Sequence, residues 1–159
     1  MIKIGYGFDA HRFSQDSKLV LGGVEIDFEL GLQGHSDADV LSHAICDALL
    51  GALGEGDIGT YFPDSEPEYE SISSMVFLEE TVTLLTQKGF VIENVDSVIV
   101  CEKPKISPHI TQIKENLSSS LGIPPEAIGV KATTTDRMGF TGRGEGIAAH
   151  AVALIKTRV

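Results

Sequence analysis

The sequence predicts an α+β domain, a mixed β-sheet with helices packed on one face. Three observations carry this reading. Stretches rich in β-branched or alternating residues open the chain, recur at 90–101 and close it at 147–156. A 3.6-residue apolar period runs through Val40–Leu53. The elements follow the order strand, hairpin, helix, helix, strand, helix, strand, strand, which two layers accommodate. At 159 residues the chain suffices for one core and is short for two, so 1–159 reads as a single domain.

The opening strand, Ile4-Gly5-Tyr6-Gly7-Phe8-Asp9-Ala10-His11-Arg12-Phe13, begins at about residue 2. Side chains alternate across a strand, so Asp9 and His11 point the same way, as two metal ligands must. Gly5 and Gly7 leave room for another backbone or a ligand. Taken alone, Asp-x-His reads more readily as a solvated strand end with Asp9 paired to Arg12 than as a metal site. The best third ligand is His43.

Leu19–Ile26 reads as a hairpin turning at Gly22-Gly23. Gly31–Asp39 is small and polar and leads into a helix, with Ser36 or Asp37 as N-cap. The apolar residues Val40, Leu41, Ala44, Ile45, Ala48, Leu49, Ala52 and Leu53 share one helix face, and Asp39, His43, Cys46 and Asp47 the other. His43 is therefore expected on a polar face, where a ligand role competes with plain solvation. Asp39 is as well explained by solvation as by a site. Asp47 is placed to orient the imidazole, and Cys46 reads more readily as a small filler than as a soft-metal ligand.

Residues 54–70, rich in Gly, Pro and acid, form a long loop, either a binding lid or a mobile surface segment. A helix follows over Ser73–Lys88 and stops at Gly89. Phe90–Cys101 reads as one strand, or as two short pieces around Asn94 and Asp96. Lys103–His109 turns into a helix with Pro108 in its first turn, His109 exposed and an end near Gly122. Gly129–Thr134 is a strand, 135–146 a second long loop, and Ile147–Lys156 the last strand. His150 within it reads as a core or interface histidine.

A formal net charge of −11 argues against nucleic-acid binding but leaves phosphorylated small molecules open. Cys46 and Cys101 read as buried and isolated, which suits a reducing compartment. No leader or transit pattern and no membrane-length apolar run is present in the sequence, so a cytoplasmic protein without a membrane partner is expected.

Asp9, His11 and His43 form a three-ligand set that leaves a fourth position open, as in catalytic zinc sites. Lys131, Thr133, Thr134 and Thr135 offer donors to phosphate oxygens, and Asp136 a hard ligand for Mg²⁺. Arg143, between glycines, suits a phosphate clamp. The combination favours phosphoryl chemistry on a diphosphate.

Four stretches carry a resemblance: Gly5–Phe13, His35–Ala44, Gly56–Asp64 and Lys131–Gly146. In order and spacing, from residue 2 to about 156, they resemble the 2-C-methyl-D-erythritol 2,4-cyclodiphosphate synthase family. The resemblance implies cyclisation of 4-diphosphocytidyl-2-C-methyl-D-erythritol 2-phosphate with release of CMP, in the methylerythritol phosphate route to isoprenoids. It implies Zn²⁺, or another divalent transition metal, on Asp9, His11 and His43, and Mg²⁺ or Mn²⁺ held by Asp136 and bridging the substrate diphosphate. His35 and Thr134 take the positions that align and stabilise the transition state. Ser36 takes that of the 2-phosphate, and Asp57, Ile58 and Gly59 that of the erythritol hydroxyls. Phe62, Pro63, Asp64, Ser65 and Glu66 correspond to the lid. Cys101, Glu102, Lys103, Pro104, Lys105, Ile106 and Ser107 correspond to the cytidine pocket. Thr133, Thr134, Thr135 and Asp136 correspond to the α- and β-phosphate site, with Phe140 and Arg143 as the last substrate contacts. The family's motif has Glu where this chain has Asp136, one methylene shorter. The implied assembly is a homotrimer with sites at subunit interfaces. Two rivals remain on the residues alone: a zinc hydrolase of nucleoside diphosphate esters, and a ligand-binding trimer with a structural metal.

Overall fold

The computed structural model describes residues 1–158. Its main sheet has five strands in the order β4-β1-β7-β5-β6. The long strands β1 (Ile2–Ser14) and β7 (Gly146–Thr157) pair antiparallel from Ile2↔Lys156 to Arg12↔Gly146. β5 (Phe90–Val100) lies antiparallel to the other side of β7 and parallel to β6 (Ile128–Thr133). The short β4 (Gly31–Leu32) extends β1. β2 (Leu19–Leu21) and β3 (Val24–Ile26) form the expected hairpin, apart from the main sheet. β5 is one strand, with a register shift between Ile92 and Asn94 where two pieces were an alternative.

Three long helices cover the sheet: α1 (Val40–Leu53), α3 (Ser74–Gln87) and α4 (Ile110–Leu121). α1 lies against β1 and β7. Small residues permit that approach, Gly5 and Gly7 on β1 beside Ala151 and Ala153 on β7. A Cβ on Gly5 would stand 1.8 Å from the Ala48 carbonyl oxygen, and one on Gly7 1.9 Å from that of Ala44. The room left by these glycines is thus filled by another backbone. On the sheet's other face Ile4, Tyr6, Phe8 and Val152 are exposed, and the Tyr6 hydroxyl lies 2.8 Å from His150 Nδ1.

The two long loops contain short helices, α2 (Ile58–Tyr61) and α5 (Gly139–Gly142). Asp57 nucleates α2 by accepting the Thr60 N–H, a local cap not picked out by periodicity. Ser107–His109 is a 3₁₀ turn that precedes α4, and His109 is half-buried rather than exposed. Gly122 ends α4 in the left-handed conformation. Both cysteines are buried and free.

α1 departs most from expectation. It is buried nearly all round, Cys46 and Asp39 fully, because α3 closes over the side that reads as polar. Its N-cap is Asp39, not Ser36 or Asp37. One Asp39 oxygen accepts the N–H groups of Ser42 and Gly22, and the other accepts the Gly23 N–H and the Ser42 hydroxyl. The carboxylate therefore pins the β2–β3 turn to the helix start and is a structural clip. Burial, with Asp37 nearby, raises its pKa. Asp39→Ala removes a cap and strands buried N–H groups, and should cost about 2–3 kcal/mol. Urea denaturation measures it.

Candidate active site

Asp9 and His11 project together from β1, and His43 reaches them from the first turn of α1. Asp9 Oδ2 lies 2.8 Å from His11 Nε2 and 3.0 Å from His43 Nδ1, and the two nitrogens are 3.3 Å apart. Three donors at zinc distances around a tetrahedral ion lie roughly 3.3 Å from one another. The spacing fits.

The surrounding bonds decide which nitrogen of each imidazole carries a proton. His11 Nδ1 is 2.6 Å from the Gln33 carbonyl oxygen, which only accepts, so Nδ1 is protonated and Nε2 turns a lone pair toward Asp9. The Ser74 hydroxyl donates to Asp37 Oδ1, so it accepts from His43 Nε2–H, 2.8 Å away. His43 Nδ1 is then also a lone pair facing Asp9. Two imidazole lone pairs and a carboxylate oxygen converge, and a cation or an extra proton must sit among them. Burial opposes ionisation of Asp9, but positive charge and hydrogen bonding at the His11 and His43 rings, when they hold the extra proton, outweigh it and keep the carboxyl well below the usual range. Burial likewise disfavours the His11 cation, and the Asp9 carboxylate more than offsets it, so the His11 pKa is raised.

Ser74 and Asp37 are the contribution that spacing does not reveal. Asp37 also accepts the Ser74 N–H at 2.9 Å, anchoring the start of α3. The residue expected to orient His43, Asp47, does not do so. It accepts the Ile58 N–H at 2.7 Å and holds the start of α2, while burial raises its pKa. Helical geometry points Asp47 one turn along α1 toward that loop, and the partner of His43 comes from a different helix. Ser74→Ala should weaken divalent-metal binding at the triad about 10- to 100-fold, the usual cost of losing such a support. Competition with a chromogenic chelator would show it.

A cavity of about 490 Å³ opens in front of the triad. Of the expected contacts, His35, Ser36, Ile58, Gly59, Phe62, Pro63, Asp64 and Ser65 line it together with Asp9, His11 and His43. Gly34, Tyr69 and Phe77 line it as well, unanticipated. Phe62 stacks on Phe77 at 4.5 Å between centroids and meets Tyr69 edge-on, which packs the loop after α2 onto α3. Asp57 and Glu66 act from behind the wall. Asp57 caps α2, and the Glu66 carbonyl lies 3.1 Å from His35 Nε2. Ser36 Oγ lies 3.1 Å from His43 Nε2, so its hydroxyl sits where the triad and the cavity meet.

Thr134 and Asp136 do not line this cavity. A second one, of about 360 Å³, is lined by Cys101, Glu102, Pro104, Lys105, Ile106, Ser107, Thr133 and Thr134. It lies beyond the carboxyl ends of the parallel strands β5 and β6, where the Cys101 N–H donates to the Thr133 carbonyl at 3.0 Å. Burial, then the Glu102 charge, pushes the Cys101 thiol up to about 11, so it stays protonated. Lys103 is exposed beside this cavity without lining it. The loop that follows β6 holds Asp136 and Arg137 at φ of 51° and 65°. Left-handed backbone costs a non-glycine residue about 1–3 kcal/mol. Glu102 Oε1 accepts the Thr135 N–H at 3.2 Å and the Arg137 N–H at 3.1 Å. The Thr135 amide, expected for phosphate, is therefore engaged by Glu102 from the neighbouring segment, as is the Arg137 amide. The Thr135 hydroxyl is engaged too, donating to the Met138 carbonyl at 2.6 Å. Phe140 is exposed, and Arg143 pairs with Glu145 at 3.1 Å.

A sequence model of the YgbB family matches residues 2–156. The chain belongs to the YgbB family. This member is 53% identical over 155 residues to a 2-C-methyl-D-erythritol 2,4-cyclodiphosphate synthase of Syntrophotalea carbinolica, covering 98% of this chain and 94% of that one. It superposes on the bifunctional IspDF of Campylobacter jejuni with a TM-score of 0.95 and 38% identity, over 99% of this chain and 42% of that one. IspF of Plasmodium falciparum in a CDP complex gives a TM-score of 0.87 and 36% identity, over 99% and 97% of the two chains. Among the described residues no helix is long and apolar enough to cross a membrane.

Proposed function

We propose that this chain is a 2-C-methyl-D-erythritol 2,4-cyclodiphosphate synthase of isoprenoid precursor biosynthesis. The substrate is 4-diphosphocytidyl-2-C-methyl-D-erythritol 2-phosphate. An oxygen of its 2-phosphate attacks the β-phosphorus, the bond from that phosphorus to the bridging oxygen breaks, and CMP departs with the electron pair. The observation that carries the reading is the convergence of three lone pairs, from Asp9, His11 and His43, at the mouth of a cavity large enough for a phosphorylated tetritol.

Asp9, His11 and His43 would hold Zn²⁺ or another divalent transition metal, which supplies Lewis-acid polarisation of a phosphoryl oxygen. The chain's own groups do the rest by positioning. Ser36 and His35 stand at the triad's edge of the cavity, facing the 2-phosphate and the attacked phosphorus. Ile58 and Gly59, on the short helix held by Asp47 and Asp57, face the tetritol hydroxyls. Phe62 to Ser65 close over it and exclude water, which would otherwise compete as nucleophile. The second cavity takes the cytidine, with Thr133 and Thr134 toward the phosphates. Asp136 would offer a carboxylate to Mg²⁺ or Mn²⁺, which would supply neutralisation of phosphate charge.

The metal cavity and the nucleotide cavity share no lining residue within one chain. A homotrimer that sets one chain's nucleotide cavity beside its neighbour's metal cavity unites them. The exposed Ile4, Tyr6, Phe8 and Val152 supply an apolar face for that assembly. A cytoplasmic location is consistent with two free cysteines.

Phosphorus NMR of the protein with substrate, zinc and magnesium tests the function. Two coupled resonances of a cyclic diphosphate appearing with CMP are expected. CMP with only linear phosphates would mean hydrolysis.

A further inference from the structure

We infer that Glu102 is a positioning residue that couples the nucleotide pocket to the phosphate loop. It rests on the synthase reading above. Glu102 lies two residues past the end of β5, next to Cys101, whose N–H bonds the Thr133 carbonyl where the nucleotide pocket begins. Its side chain crosses to the neighbouring loop, and one oxygen, Oε1, accepts the N–H groups of both Thr135 and Arg137. Those amides bracket Asp136, and Asp136 and Arg137 are the two residues of that loop held in left-handed backbone without a glycine's freedom. Other bonds, from Met138 N–H to the Thr135 carbonyl, from Thr135 Oγ1 to the Met138 carbonyl, from Asp136 N–H to Thr134 Oγ1 at 3.4 Å and between the Thr135 and Thr141 hydroxyls, close the loop on itself. The Glu102 bonds tie it across to the nucleotide segment. Without them the loop is free to relax toward ordinary backbone, carrying the Asp136 carboxylate and the Thr134 hydroxyl away from the diphosphate.

Glu102 thus serves the chemistry without touching the reacting atoms. Nucleotide binding against 101–107 fixes the Glu102 backbone, and the carboxylate passes that order to the loop. Since a single oxygen receives both bonds, a glutamine carbonyl can replace it, whereas alanine cannot.

The test compares wild type, Glu102→Gln and Glu102→Ala in the full chain. Three readouts are taken: cyclodiphosphate turnover, CMP affinity by calorimetry, and amide exchange at Thr135 and Arg137. Glu102→Gln should stay within about threefold of wild type in kcat and KM, with both amides protected. Glu102→Ala should lose that protection and fall at least 30-fold in kcat, with CMP affinity also reduced because the relaxed loop faces the nucleotide's phosphate. A Glu102→Ala enzyme that keeps kcat within threefold would overturn the inference. So would a Glu102→Gln enzyme as slow as the alanine variant, since charge and not acceptance would then be required. Weaker CMP binding with unchanged kcat would make Glu102 a wall of the pocket only. If wild type itself forms no cyclic product, the synthase reading has failed, and amide exchange still reports whether Glu102 holds the loop.

Discussion

Gly7→Ala is expected to destabilise the fold by at least about 4 kcal/mol, an exceptional loss for adding one methyl group. The added Cβ would lie 1.9 Å from the Ala44 carbonyl oxygen and 2.7 Å from the Ala48 nitrogen. Both are helix backbone, which cannot rotate aside as a side chain can. Either α1 lifts from β1 or the strand shifts, and both break a core that includes Ala44, Ala48 and Ala151. The same displacement would carry His43 away from Asp9 and His11, so zinc affinity should fall with stability. Gly51→Ala is the control. A Cβ there meets nothing nearer than the Tyr6 carbonyl at 3.7 Å, and alanine in a helix gains up to about 1 kcal/mol over glycine. Thermal and urea unfolding of the two variants should diverge in sign. A Gly7→Ala protein as stable as wild type would refute the close helix–strand contact.

The second large effect concerns the triad. His43→Ala should abolish stoichiometric zinc binding and reduce turnover about 1,000-fold or more, roughly 4 kcal/mol of transition-state stabilisation. It removes one of the three convergent donors and leaves the Ser74 hydroxyl without the proton it accepts. Asp9→Asn, nearly the same shape, should lose zinc as well, since an amide brings no charge to the site. Zinc by atomic absorption, turnover by phosphorus NMR and far-UV circular dichroism together read the outcome. A folded, zinc-free variant that still turns over would mean that the triad is not the working centre.

Much of this protein follows from local sequence. β1, the Gly22-Gly23 hairpin, α1, α3, α4 and the closing strand are legible because period and turn chemistry are properties of a few adjacent residues. So is the Asp9/His11 pair, because alternation along one strand suffices to set two side chains together. The four motifs in register carry the family, and with it the chemistry.

What failed to be legible depends on elements distant in the chain. The side of α1 holding Cys46 and His43 reads as polar, yet α3 buries it, and no pattern within α1 could announce that neighbour. The support of His43 is Ser74, 31 residues away, while the nearer Asp47 turns to the Ile58 amide. Asp39 looks like a surface acid but satisfies Gly22 and Gly23, which only the folded hairpin brings to it. The Glu102 bridge likewise spans 33 residues to Thr135. The sequence by itself determined the long elements, the pairing of Asp9 and His11 on β1 and the family. The tertiary structure decided which polar groups are buried together and which nitrogen of each histidine faces the metal position. The physical reason is that a buried donor or acceptor must find a partner wherever the packed chain supplies one, without regard to its distance along the sequence.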